Sequence, residues 1–354
     1  TVTKRPVTFL TTGSRTYGEE NTAVKGYTIQ QLNTAAKEGL TGRNAGMVTA
    51  GSTTVDNSTL ASTEVGKYGT ESDVAQQVLN IDPAVQAILG DDYKNYAITY
   101  QDAFTINPRT VRVTVAGEST YGDNPLTDGK GYKTIAFEQA GADGVAAQEG
   151  LALGQTIDKS QVTVQNSITP TTDAGTYGID GINVQDGNGF QNKNYNIVLE
   201  KGSYTVTKRT VRATASGSQV YGESAPTDGE AYDIAFATAG GNGVNAHEGL
   251  VNGQTIDKSQ VTVQNSVGQT NDVGTYTTSQ SDVGEEIAYG ADNPERVDGK
   301  DQGIYGLLVA DGNGFQNKNY NIVLDQGSYT VTKRPVTFLT TGSRTYGEEN
   351  TAVK

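Results

Sequence analysis

The stretch YTVTKRTVRATA, residues 204–215, carries its apolar side chains on even positions before the Lys-Arg pair and on odd positions after it: Tyr204 and Val206, then Val211, Ala213 and Ala215. Alternate residues of an extended chain face opposite sides, so a change of phase is a change of face. The same switch separates Phe104 and Ile106 from Val111, Val113 and Val115, and Tyr329 and Val331 from Val336 and Phe338. Each case reads as one continuous extended segment that finishes in one hydrophobic core and starts in the next. The inter-module junctions are placed at Lys4-Arg5, Lys208-Arg209 and Lys333-Arg334. No Gly/Ser-rich or Pro-rich spacer intervenes, so successive modules are expected to be held stiffly.

Around this phrase the chain is repetitive. Residues 330–354, TVTKRPVTFLTTGSRTYGEENTAVK, repeat residues 1–25 without a change, and residues 105–123 and 205–223 carry looser versions. The chain is therefore expected to be one period cut from a longer repeat, with no signal peptide at its start. The Tyr-Gly pair that closes each version, at Tyr17, Tyr121, Tyr221 and Tyr346, divides the chain into units of about 100 to 125 residues, an ordinary domain size. Module 1 is placed at 1–107, module 2 at 108–208 and module 3 at 209–333, with 334–354 opening the next.

Module 2 is the plainest. It predicts strands over 110–116, 132–138, 161–165, 176–185, 195–199 and 204–207, with turns at Tyr121-Gly122, Asp186-Gly-Asn-Gly and Gly202. Short strands separated by Gly/Asn/Asp turns point to an all-β sandwich. Module 1 adds a helical insert at 72–90, in two pieces: a pattern from Ser72 through Val78 and Leu79, then Asp82-Pro83 as N-cap and first helical residue. That insert is expected to cover an edge of its own module, with a docking helix for a partner as the rival reading. Module 3 adds an acidic, Gly-rich insert at 280–306, expected to be an exposed loop and a conceivable recognition site.

The formal charge of −14 argues against nucleic acid or an anionic membrane as partner. No apolar run approaches membrane-spanning length. Absence of Cys excludes disulfides and thiolate metal sites. The modules also act as internal controls on chemistry. His247, the single histidine, stands where the other copies carry Gln148 and Lys37, so its position is a surface one. Without a recurring Ser/His/Asp set, no enzyme is expected. Asp56, Asp158 and Asp257 read as turn residues. Asp186 with Asn188, and Asp311 with Asn313, are weak calcium candidates that a hairpin turn explains more simply; otherwise no cofactor is expected. Tyr121, Tyr177, Tyr195 and Tyr204 recur as Tyr221, Tyr276, Tyr320 and Tyr329 and read as core residues rather than a sugar-binding face. Lys208 and Lys333, beside Asn-rich strands, are candidates for Lys-Asn amide cross-links.

Tyr121-Gly122, the Gly-Thr-Tyr at 175–177, the Asn-Tyr-Asn at 194–196 and the GSYTVTK at 202–208, repeated in fixed order, resemble the MBG repeats, immunoglobulin-like domains found in tandem in large bacterial surface proteins and secreted adhesins. The resemblance covers nearly all of the chain outside the two inserts. Module 1 departs most, with Gly66-Lys67-Tyr68, Lys94-Asn95-Tyr96 and no Asp-Gly-Asn-Gly turn. The resemblance implies an extracellular, bacterial, structural or adhesive role. The fold expected is all-β: tandem Ig-like β-sandwich modules in an elongated rod, each adding roughly 30 to 40 Å, with a small helical insert in the first. The function expected is the shaft of a surface adhesin or extracellular filament. Its partners would be neighbouring repeats of the same chain or filament, joined directly or by strand donation. The alternative is an adhesive module that binds a host or cell-surface glycan or protein through its inserts.

Overall fold

A computed structural model of the chain describes residues 1–20, 25–33, 35–70, 72, 76–279 and 303–347. It is mostly strand. The first copy of the repeat contributes β1 (Arg5–Thr16), β2 (Lys25–Gln31), β3 (Asp56–Asn57), β4 (Gly66–Gly69), β5 (Leu79–Asn80), α1 (Asp82–Leu89) and β6 (Tyr96–Asn107). The second contributes β7 (Arg109–Thr120), β8 (Thr134–Phe137), β9 (Val162–Gln165), β10 (Gly175–Tyr177), β11 (Gly181–Val184) and β12 (Tyr195–Thr207). The third contributes β13 (Arg209–Val220), β14 (Asp233–Phe236), β15 (Val261–Asn265), β16 (Gly274–Ser279), β17 (Ile304–Val309) and β18 (Tyr320–Thr332).

One topology recurs three times. Each copy has a four-stranded sheet in the order second, first, last, fourth (β2-β1-β6-β4, β8-β7-β12-β10, β14-β13-β18-β16) and a two-stranded sheet of its third and fifth strands. In the first and third copies the central pair is parallel along its whole length, Arg5 opposite Tyr96 through Thr16 opposite Asn107 without a break, and Arg209 opposite Tyr320 through Val220 opposite Thr332 with one shift of register between Ala213 and Thr214. By distribution of contacts the chain forms two compact units. One comprises Thr1–Glu118, Leu126–Ser167 and Thr176–Tyr204; the other comprises Ser119–Pro125, Ile168–Gly175 and Thr205–Lys354. The division falls inside the second copy, so the turns after β7 and before β10 belong with the third.

The change of face is present as read at two of the three places; at the third, Val336 and Phe338 are exposed and lie in no strand. Tyr204 and Val206 are buried on even positions of β12, Lys208 is exposed, and Arg209, Val211, Ala213 and Ala215 are buried on odd positions of β13. At the earlier boundary Phe104 and Ile106 are buried, then Arg109, Val111, Val113 and Val115, with only Pro108 between the strands.

Several expectations are corrected. Among the described residues of the insert at 72–90 the α-helix is Asp82–Leu89, with Gly90 opening a 3-10 turn; Asp82 is the helix's first residue rather than its cap, and Ile81 holds the cap position. Residues 73–75 lie outside the described residues, and Val78-Leu79 is extended because the buried Asp102 carboxylate accepts both amides, at 2.7 and 2.8 Å. The helix is too short to persist alone. It is held by Val85 and Leu89, buried with Val7, Phe9, Ile81 and Tyr96 in the core of its own copy. Asp56 lies in a strand, whereas Asp158 and Asp257 do cap short turns of helix. The single strand expected over 176–185 is two strands, β10 pairing with β12 and β11 with β9. Residues 280–302 of the acidic insert lie outside the described residues, and from Ile304 the chain is strand β17, whose Ile304, Leu307 and Val309 are buried.

Gly202 is not a turn. It lies inside β12, as Gly327 lies inside β18. At Gly327 a Cβ would fall 2.2 Å from the Ile304 carbonyl oxygen, so glycine is needed there for close approach. Gly327→Ala should lower stability by about 1–3 kcal/mol, seen as a lower urea midpoint for loss of β17–β18 protection in hydrogen exchange.

Candidate functional site at the strand junctions

Arg109 opens β7 in the inward phase, so the alternation that buries Val111 also buries its guanidinium, leaving it 3% exposed. Its donors are met by backbone carbonyls. Nε donates to Gly150 O at 2.8 Å and Glu149 O at 3.2 Å, and Nη2 donates to Ala147 O and Glu149 O, both at 2.9 Å. These acceptors line one bend of the second copy. Nη1 points the other way and donates to Tyr17 O of the first copy at 3.2 Å. Burial pushes the guanidinium below its ordinary pKa.

An aromatic joint sits beside the arginine. Tyr17 meets Tyr195 edge to face, with ring centres 5.4 Å apart and planes at 78°. Gln155 joins the two hydroxyls, its Nε2 donating to Tyr17 Oη at 3.1 Å and its Oε1 accepting from Tyr195 Oη at 2.6 Å. Next to Tyr195, the buried Asn194 accepts the Val65 amide at 2.9 Å, and Lys193 pairs with Glu64 at 2.6 Å. Gly18, at φ +79°, lies so close to the second copy that a Cβ would be 2.4 Å from Ala152 Cβ. The Tyr-Gly pair thus forms part of the contact surface of the first copy, together with Glu64 and Val65.

Unit 2 contains the same joint one step along. Arg209 is 2% exposed; Nε donates to Gly249 O at 3.0 Å, Nη2 to Ala246 O and Glu248 O at 3.1 Å, and Nη1 to Tyr121 O at 3.1 Å. Here Nη1 also meets the Asp123 carboxylate at 2.8 Å, and Asp123 in turn meets His247 Nδ1 at 2.6 Å. Tyr121 and Tyr320 stand 5.3 Å apart at 78°, Gln254 donates to Tyr121 Oη at 3.0 Å, and Tyr320 Oη donates to Gln254 Oε1. Burial pushes the Tyr320 phenol up to about 12. Asn319 accepts the Ala174 amide at 2.7 Å and donates to Asp173 at 2.8 Å, while Lys318 pairs with Asp173 at 2.7 Å.

Of the residues singled out from sequence, Arg209 is central to a joint. Arg5 makes the corresponding bonds to Gly39 O, Ala36 O and Glu38 O, and Arg334 donates to Tyr221 O at 3.2 Å. Lys4, Lys208 and Lys333 are exposed and lie outside these networks. Arg109 was missed because Pro108 replaces the Lys that flags the other three; its place ahead of the Val111-Val113-Val115 run was the available signal. The calcium candidates serve turns. Asp186 and Asp311 accept the amides of Asn192 and Asn317, while Asn188 and Asn313 take φ of 52° and donate to Gln161 and Gln260. Among the described residues no group of three His, Cys, Asp or Glu is placed to hold a metal.

Compared with family models, curated proteins and solved structures, the chain matches none.

Two outcomes follow from this geometry. Arg209→Ala strands four carbonyls, those of Gly249 and Tyr121 in buried contacts, and should destabilise unit 2 by roughly 2–4 kcal/mol, read as lost exchange protection at the Gly249 and Leu250 amides. Arg209→Lys should restore only part of that, because an ammonium cannot reproduce the planar fork. The Lys318 and Asn319 hydrogen bonds hold the Asp173 carboxyl below its ordinary 3.8. A depressed carboxylate contributes stability above its unfolded pKa and loses it as pH falls through the folded value. Unit 2 should therefore weaken on acidification below about pH 4, and Asp173→Asn should flatten that part of its melting-temperature profile.

Proposed function

We propose that the chain is part of the structural shaft of a bacterial extracellular adhesin or surface filament. On this reading it is built of tandem Ig-like sandwiches, outside the cell, with a mechanical rather than a catalytic role. The observation that carries the reading is the joint: the last strand of one copy becomes the first strand of the next across a single residue, and a buried arginine bonds the backbone of both copies.

The central strand pair supports the same reading. Chain enters the third copy at Arg209, level with Tyr320, and leaves it at Thr332, level with Val220. Entry and exit are thus at opposite ends of one parallel pair, so a copy advances the chain by about 36–40 Å. Tension applied along the chain then shears the whole ladder at once instead of opening it bond by bond. The formal charge of −14 keeps neighbouring shafts apart. The order of the Tyr-Gly, Gly-Thr-Tyr and Asn-Tyr-Asn motifs is the support for placing these copies among MBG-type repeats on a cell surface. The apolar face of α1 is spent on the core of its own copy, which favours a shaft over a binding module that uses that helix.

Small-angle scattering of the whole chain should give an elongated pair-distance distribution, and pulling from its two ends should give discrete rupture events at shear-type forces. A globular distribution, or rupture at the low forces of an unzipped hairpin, would remove the shaft reading.

A further inference from the structure

The two joints are built alike around their tyrosines and differ beside them. In the joint of unit 2, Asn252 donates Nδ2 to Pro170 O at 3.4 Å, and the hydroxyls of Thr169 and Thr171 share a hydrogen bond at 3.1 Å. Gly18 N donates to Ala61 O as Gly122 N donates to Pro170 O, so Leu60 and Ser62 stand in unit 1 where Thr169 and Thr171 stand in unit 2. Leu153 likewise stands for Asn252. The joint of unit 1 therefore carries leucine at two places where the other carries a residue engaged in hydrogen bonds. Leu60 is 66% exposed and Leu153 47%.

Leu153 takes φ of 57°, as Asn252 does, a left-handed conformation that asparagine adopts readily and leucine does not. An exposed leucine held this way returns nothing to its own copy, and such residues cluster where a ligand is met. Beside it lies a cleft of about 460 Å³, a volume within the range of small-molecule sites. Its walls come from both copies, Ser62 and Glu64 from the first and Leu153, Asn188 and Gln191 from the second. Among the described residues the Ser62 hydroxyl and the Gln191 side chain make no hydrogen bond, and Gln191 Oε1 is buried without a partner. Asn188 spends Nδ2 on Gln161 Oε1 at 2.8 Å and keeps Oδ1 for another donor. Glu64, the charged residue of the lining, is paired with Lys193 at 2.6 Å.

We propose that this cleft binds a neutral saccharide of one or two sugar units. A sugar ring offers C–H groups on a face, which suit Leu153, and hydroxyls around its edge that donate and accept, which suit the uncharged Ser62, Asn188 and Gln191. Turned toward the cleft, the Gln191 amide gains from a sugar hydroxyl the partner it lacks. A phosphate or carboxylate meets no unpaired cation in the lining, and the formal charge of −14 opposes it. Tyr17 is 3% exposed, so its ring is not open to a nucleobase or other flat heterocycle. Because the walls belong to two copies, neither copy holds the site alone. The inference goes beyond the shaft reading, and the two fail separately: an elongated chain without affinity for saccharide keeps the shaft and loses the site.

The test is saturation-transfer NMR on the whole chain with the neutral disaccharides cellobiose, lactose, maltose and chitobiose, and with the uncharged peptide acetyl-Ala-Leu-Ala-amide as the rival probe. Transfer to the ring protons of a disaccharide is expected, with a dissociation constant in the millimolar range. Leu153→Asn, which installs the residue of the other joint, should weaken that binding about tenfold and raise the melting temperature, because asparagine suits the positive φ. Gln191→Ala should weaken binding to a similar degree and leave the melting temperature in place. Binding of a disaccharide that either substitution weakens supports the proposal. No transfer to any disaccharide, transfer to the peptide alone, or binding that neither substitution weakens overturns it.

Discussion

A guanidinium removed from water has five N–H donors to satisfy and no acceptor of its own. In this chain the sites that supply those acceptors are divided between two copies of a repeat. The bends Ala147–Glu149–Gly150 and Ala246–Glu248–Gly249 turn their carbonyls toward Arg109 and Arg209, and the remaining donor goes to Tyr17 O or Tyr121 O of the copy before. An arginine left with part of this set would be a buried cation short of partners, the costly case. Arg109 and Arg209 each therefore tie a bend of their own copy to a tyrosine carbonyl of the copy before. What places the arginine is the alternation of the strand, since the residue that begins the inward phase is also the first to reach the neighbouring copy.

The tyrosines add geometry to that bond. Two rings edge to face at 5.4 and 5.3 Å, both at 78°, with a glutamine joined to both hydroxyls, are the same object built twice. A bare ring contact would tolerate sliding. A glutamine that must donate to one hydroxyl and accept from the other fixes the rings in register, and such networks gain from mutual polarisation. Gly18 and Gly122 are required because the turn carries positive φ and because a side chain there would strike Ala152 or Val251. Tyrosine-glycine is thus legible as a unit: the ring reaches across, and the glycine lets the backbone come near enough for it to do so.

How much of this could be read from sequence depends on range. The change of face is legible at two places because it is a local alternation, and so are the burial of Tyr121, Tyr195, Tyr204, Tyr320 and Tyr329 and the exposure of His247, whereas Tyr177 and Tyr276, read as core, are half-buried and Tyr221 is exposed. The parallel pairing of the first and last strands was not, because β1 and β6 carry the same alternation whichever direction they run. Gly202 was read as a turn because glycine marks both turns and close approaches, and only the partner, Ile179 with its Cβ 2.8 Å from the added atom, separates the two. The spacing of Val78 and Leu79 fits a helix, yet Leu79 lies in β5. Asp102, more than twenty residues away, decides it by accepting both amides. Of the joint, the arginine next to lysine was visible, while Arg109 after proline and the bridging Gln155 and Gln254 were hidden. Their role exists only between segments far apart in the chain.

The recurring topology also shows where such a repeat can vary. The helix of the first copy falls between its fifth and last strands, and the long interval of the third falls between β16 and β17, while the first and last strands, which make the joints, run uninterrupted in all three copies. Lengthening a connection costs little, because closure entropy grows only with the logarithm of length. An extra residue within β13 would instead invert every side chain beyond it. The exception supports the rule: β18 does carry one extra residue, Asp325, where Leu324 pairs with Ala213 and Gln326 with Thr214, and the register holds to Thr332. Neighbouring first strands differ, Val111-Val113-Val115 against Val211-Ala213-Ala215. A strand that strays into the adjacent core would then under-fill or over-fill it, at a cost of about 1–3 kcal/mol. Residues 334–345 repeat the sequence of β1, residues 5–16, without a change, so between stretches one full period apart that discrimination is absent.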